Sequence, residues 1–429
     1  MVAKTTLQFA LISITIVAVA AGSQKRIAKN QALAVSLNPA ATTTAAATSV
    51  TTTALPIFTP VPGAIFPANW NWQIDYPALY GPDNQCCLIP ATNTTLAKEW
   101  IAKVNMTAIP SVPLNKDVNG TLVNSYGNNN PYCEWEFGQK CVRGTDVQYC
   151  PTKGVFGITV NDGPSTFGSS LYDWLNANNL KATLFWIGSN IAQNPLIAQK
   201  GCSGNYHIAF QSWSYNDLST LTNEQIIVEL KWTETIIHEL CGISPRYFRP
   251  PEGDIDDRVR AIAAQLGYIP VLWDLDTKDW EYGEVIGYTT DQENGNFTAW
   301  ISEEPADTHG HIILLHESSE LAINEITLNI PRLIESSYNA MSVASCLGDA
   351  HPYKENVTFC PIWVNNTLIP CAPTNTTSSP TTASPMNSTT AIATVIITAS
   401  SSTSSDMKRS YCSEIVSVIV VIVAIAMMI

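Results

Sequence analysis

Along residues 150–346 short apolar runs alternate with stretches of helical spacing. The runs 155–160, 182–187, 207–210, 246–249, 269–275 and 311–316 are too short for helices and predict buried strands. Between and after them, segments 165–178, 223–240, 254–266 and 324–338 repeat their apolar residues three and four positions apart, which predicts helices. Strands that alternate with helices imply an α/β domain on a parallel sheet. Most of these runs are followed by polar residues. In chain order they are Thr159-Val160-Asn161-Asp162-Gly163-Pro164, Gln211-Ser212-Trp213-Ser214-Tyr215, Arg249-Pro250-Pro251-Glu252-Gly253, Asp276-Thr277-Lys278-Asp279-Trp280 and Leu314-Leu315-His316-Glu317. The carboxyl ends of parallel strands are where barrels and open α/β sheets carry their chemistry.

This ordered set resembles the polysaccharide deacetylase (NodB-homology) family of metal-dependent carbohydrate esterases, and most closely the fungal chitin deacetylases. The resemblance implies a distorted (β/α) barrel over 151–346, with an N-terminal Cys- and aromatic-bearing extension at 66–150 and a closing segment at 347–371. It also implies roles. Asp162 stands at a metal ligand, with zinc or cobalt as the family's ion. Arg249 stands at the residue that orients the catalytic base, His316 at the general acid and Asp279 at the carboxylate that tunes it. Trp280, Trp213, Glu252 and Asp276 would border the sugar groove.

Three positions depart from the family pattern. Asn161 replaces the base Asp, and Gln211 and Tyr215 replace the two His ligands. An amide accepts no proton near neutral pH, and losing a general base typically costs about 10²- to 10⁴-fold in rate. Gln is a weak neutral ligand, and a phenol holds its proton to a pKa of about 10. Without the ion, the polarised carbonyl and the activated water are lost together. The fourth change, Glu252 where the fungal enzymes usually carry Tyr, puts a carboxylate near the intended oxyanion. The expectation is a protein that acts on or binds chitin or chitosan, with metal-dependent deacetylation lost or strongly reduced and no cofactor bound. The alternative is an active chitin deacetylase.

The rest of the chain bears on location. Residues 1–22 join Lys4 to an apolar run that ends in small residues, the pattern of a secretory leader. Residues 23–65 form an Ala/Thr-rich lead-in. Residues 372–405 are a Ser/Thr-rich stalk too polar to pack a core. Residues 406–429 supply a polar spacer and an apolar tail, favouring a GPI-anchor signal over a single-pass helix. Eight Asn-x-Ser/Thr sequons fit the secretory route. Ten of the 11 Cys lie ahead of that tail and are expected to form disulfides of unreadable pairing. A net charge of −14 argues against nucleic acid and suits a cationic polymer. The partners expected are therefore chitin or chitosan in a cell wall, and a membrane through a lipid anchor.

Overall fold

The computed structural model describes residues 72–77, 88–118, 121–137, 140–282, 287–336, 338–364 and 367–369. The expected leader, lead-in, stalk and tail lie outside these residues, as do Cys86, Cys87 and Cys371. Among the described residues no helix is long and apolar enough to cross a membrane.

The extension contributes helix α1 (Thr95–Ala102) and a hairpin of β1 (Lys116–Val118) and β2 (Thr121–Val123). The barrel begins with β3 (Val155–Gly163), α2 (Gly168–Ala177), β4 (Thr183–Trp186), α3 (Gly188–Gln193), α4 (Pro195–Ser203) and β5 (His207–Phe210). It continues with α5 (Asn223–Cys241), β6 (Tyr247–Phe248), α6 (Asp257–Leu266), β7 (Ile269–Pro270) and β8 (Leu275–Asp276). It closes with α7 (Thr290–Glu303), β9 (His311–His316), α8 (Glu320–Glu335), β10 (Asn339–Met341) and α9 (Val343–Cys346). A last hairpin pairs β11 (Ile362–Val364) with β12 (Thr367–Ile369).

The sheet order is β7-β6-β5-β4-β3-β9-β8, with β10 beside the first residues of β3, and every pairing is parallel. The two end strands, β7 and β8, are neighbours in sequence. The curled sheet with its helices is thus a distorted (β/α) barrel, as expected. The central strand β3 is buried on both faces (Val155, Phe156, Ile158, Val160), which is why it reads as a continuous apolar run.

Burial also explains the helices. α5 starts with a reciprocal cap between Thr222 and Gln225, ends on Gly242 at φ 72°, and buries Ile226, Ile227, Leu230, Ile236, Ile237 and Leu240. Among the described residues, disulfides join Cys133 to Cys141, Cys150 to Cys346 and Cys202 to Cys241. The second ties the residues that enter β3 to α9, which follows the last barrel strand. The aromatic residues of the extension serve the core. Trp100 meets Trp232 at 4.9 Å, Trp135 meets Trp273 at 4.4 Å, and Tyr76 stacks on Trp213 at 5.8 Å.

Candidate functional site

β3 carries the centre of the site on a bulge. Its register with β4 shifts between Asn161 and Gly163, and Asp162 between them sits at φ 67°. A bulge re-aims side chains at a strand end, so that consecutive residues can serve different neighbours. Asn161 is buried, and its Oδ1 accepts from Arg249 Nη1 at 2.9 Å. Arg249, also buried, donates further to Thr159 Oγ1 (2.8 Å), to the Val271 carbonyl (3.2 Å) and to the Leu272 carbonyl (3.0 Å). All four acceptors are neutral. Burial pulls the guanidinium down to about 9, while Tyr215, Asp162 and Asp276 act to raise it, so it remains a cation at neutral pH. The geometry that would orient a base carboxylate is in place, and it grips an amide.

The loop after β5 presents the next two residues. Buried Glu229 of α5 holds it by accepting from the Ser214 backbone N–H at 2.9 Å and from the Ser214 hydroxyl. Gln211 turns its Oε1 to the Asp162 N–H at 3.2 Å. Its Nε2 and Asp162 Oδ1 are both buried without a hydrogen-bond partner. Tyr215 and Glu252 adopt φ 60° and φ 54°, conformations that side chains other than glycine's rarely take and that tend to cluster at functional sites. The Tyr215 phenol is held well above its usual pKa by burial first and then by Asp162 and Glu252; the Glu252 backbone N–H, bonded to it, offsets this in part. The N–H expected to face an oxyanion therefore meets the Tyr215 hydroxyl. One carboxylate, a neutral amide and a phenol that keeps its proton do not make a donor set for a divalent ion.

At the end of β9, buried His316 pairs through Nδ1 with Asp279 Oδ1 at 2.6 Å, and its backbone N–H reaches Asp279 Oδ2 at 2.7 Å. Burial opposes the imidazolium, but Asp279, supported by Asp162 and Asp276, outweighs it and raises His316 to about 9. A folded pKa above the unfolded value of about 6.5 means the pair stabilises fully below that pH, and the contribution fades as pH rises through about 9. Asp279→Asn is expected to lower the His316 pKa, because burial is then opposed only by the smaller effects of Asp162 and Asp276. An NMR titration of the imidazole reads this directly. The melting difference between variant and wild type should shrink from pH 6 to pH 10.

The structure brings the remaining sequence candidates to different places. Half-buried Asp276 accepts from the Lys278 N–H at 2.8 Å, and burial raises its pKa. Trp280 is 40% exposed and Glu252 is exposed as well. Trp213, expected along the groove, is instead a core residue. It is 1% exposed, stacked on Tyr76 and packed where a Cβ on Gly188 would collide with it. Glu317 is buried under the site, accepting from Tyr172 Oη (2.9 Å) and the Ser165 N–H (3.3 Å); burial pushes it up to about 8. A Cβ on Gly163 would fall 1.6 Å from Glu317 Oε1, so any side chain there would displace the Glu317 carboxylate.

The sequence pattern of the polysaccharide deacetylase family matches residues 148–271. Those residues belong to the polysaccharide deacetylase family. Chitin deacetylase 1 of Cryptococcus neoformans var. grubii is 36% identical over 291 residues, 64% of this chain and 59% of the relative. Chitin deacetylase of Amylomyces rouxii is 34% identical over 266 residues, 59% of this chain and 62% of the relative. The matched region thus spans about three fifths of these relatives' length. Among solved structures, the chitin deacetylase of Colletotrichum lindemuthianum is 28% identical, covering 49% of this chain and 96% of its own, with a TM-score of 0.45.

Two residues near the deacetylase-family site went unseen in the sequence. The Cys133–Cys141 loop brings Lys140 to 3.4 Å above the Trp135 ring, and Asp276 acts electrostatically on its ammonium. From the same loop, Glu136 is raised to about 7, by burial and then by the Glu252 charge. Their spacing from the barrel motifs carries no periodic signal. Only the cysteines flanking the loop hinted that it was held in place.

Proposed function

We propose that the domain binds chitin or chitosan chains in a cell wall and has lost, or nearly lost, metal-dependent N-deacetylation. The observation that carries this reading is the pair of orphaned groups, Asp162 Oδ1 and Gln211 Nε2, on adjoining residues that the resemblance sets at metal-ligand positions. A buried acceptor and a buried donor without partners are costly unless a ligand completes them. A sugar hydroxyl, amide or amine gives and accepts hydrogen bonds and can do so. The likeness to chitin deacetylases supplies the class of polymer. The leader and the tail of the sequence support secretion and attachment by a lipid anchor at the outer face of the membrane.

Charge refines the ligand. Asp162, Asp276, Asp279 and Glu252 gather around the site with Glu136 at its rim, and they outnumber the cations Arg249, His316 and Lys140. Such a field favours the ammonium groups of glucosamine over N-acetyl groups. Calorimetric titration of the secreted chain with oligomers of both kinds is expected to show chitosan bound more tightly, with salt weakening it. Equal affinity for both would remove the charge argument, and affinity for neither would remove the binding reading. Acetate release from chitin oligomers on adding zinc or cobalt would instead favour the active deacetylase.

A further inference from the structure

At the opposite end of β9 from His316, a second group of metal-ligating side chains converges. We propose that Asp274, His309 and His311 form a site for a divalent transition-metal ion, separate from the strand ends where the family resemblance sets one. One donor atom from each lies within 4.8 Å of the others. His311 opens β9 and His316 closes it, so the two centres are about 17 Å apart at about 3.3 Å per residue.

The surroundings are arranged as a metal site requires. Asp274 Oδ1 is taken up by the Ile312 N–H at 2.7 Å, which leaves Oδ2 for a ligand. That Oδ2 lies 2.7 Å from His311 Nδ1, so a single proton bridges them where an ion would sit. The far nitrogen, His311 Nε2, lies 3.0 Å from Asp307 Oδ2, and Asp307 in turn accepts from the Tyr338 hydroxyl at 2.7 Å. A carboxylate behind a ligating imidazole fixes its tautomer and strengthens it as a donor. His309 Nδ1 stands 4.0 Å from Asp274 Oδ2 and donates to the Gly310 carbonyl at 2.7 Å, a bond it must give up to ligate, and its ring stacks on Tyr149 at 4.0 Å. Zinc bonds of about 2.0–2.2 Å require the three donors to close by roughly 1 Å. The partly exposed His309 side chain, at 34%, has the freedom to do this. Two imidazoles and one carboxylate suit zinc and its first-row neighbours, and a fourth position remains for water.

The site would clasp the chain entering β9 to the residues before β8 and, through Tyr149, to the end of the extension. The test is zinc uptake by the untagged full chain, stripped with chelator and read by equilibrium dialysis with elemental analysis. Wild type is expected to take up one equivalent. His309→Phe, which keeps a ring against Tyr149, should weaken uptake by more than about tenfold. Asp162→Asn should bind as wild type does. No uptake by wild type, unchanged uptake by His309→Phe, or loss of uptake in Asp162→Asn would each overturn the proposal.

Discussion

Replacing Asn161 with Asp, Gln211 with His and Tyr215 with His together is expected to create zinc-dependent acetate release from chitin oligomers, at least about 10²- to 10⁴-fold above wild type. The scaffold for this is present. Arg249 already donates to the position a base carboxylate would occupy, at 2.9 Å from Asn161 Oδ1. His316 is already paired with Asp279 and carries a proton to about pH 9, as a general acid must. Asp162 keeps a buried oxygen unpartnered. Removing the Tyr215 phenol also frees the Glu252 N–H to which it is bonded. Each single or double restoration should stay near the wild-type rate, because an ion without a base and a base without an ion both fail. If the triple variant folds and takes up zinc yet stays silent, the premise that these three positions alone stop the chemistry is wrong. The Glu252 carboxylate beside the oxyanion position would then be the next residue to replace.

Arg249→Ala should lower stability by about 3–5 kcal/mol, a fall in melting temperature of roughly 6–20 °C. The side chain is fully buried and ties two segments to its own by its hydrogen bonds: β3 through Thr159 and Asn161, and the stretch after β7 through Val271 and Leu272. Its plane also lies over the Phe185 ring, 4.2 Å from the centroid. Truncation orphans several acceptors at once and leaves a cavity beside β3. Arg249→Lys keeps the charge but cannot fork to both sides, so it should fall between wild type and Ala. Thermal melts of the full chain by circular dichroism decide this. A drop smaller than about 3 °C would mean that the network contributes little. Because Arg249 faces an amide where the family carries a carboxylate, Asn161→Asp alone should stabilise the fold by supplying the missing countercharge.

The residues at the strand ends and the elements that carry them were legible in the chain. Buried parallel strands leave continuous apolar runs, and the runs for β3, β4, β5 and β9 were placed to within a few residues. The identity of Asn161, Gln211 and Tyr215 is itself chemical information, since no tertiary arrangement makes an amide a base. The run 269–275 nevertheless divides into β7 and β8 at the two ends of the sheet, because pairing with β6 and with β9 pulls its halves apart. Helices α3, α4 and α7 were not foreseen. α3 and α4 follow one another within one β-to-β connection, and α7 is polar around most of its surface and buries only Glu293 and Phe297.

What only the tertiary structure decided depends on partners far apart in sequence. Trp213 had the chemistry of a groove wall, yet Tyr76 and Gly188 enclose it in the core. Lys140 reaches the site because a disulfide loop folds over Trp135 and Trp273. His309 and His311 carry no motif of their own, and only the fold sets Asp274 and Asp307 beside them. Periodicity reports which face of an element is buried, and residue type reports what a side chain can do. Neither contains the distance between two side chains from different strands, and in this protein that distance separates a groove wall from a core residue and a surface histidine from a ligand.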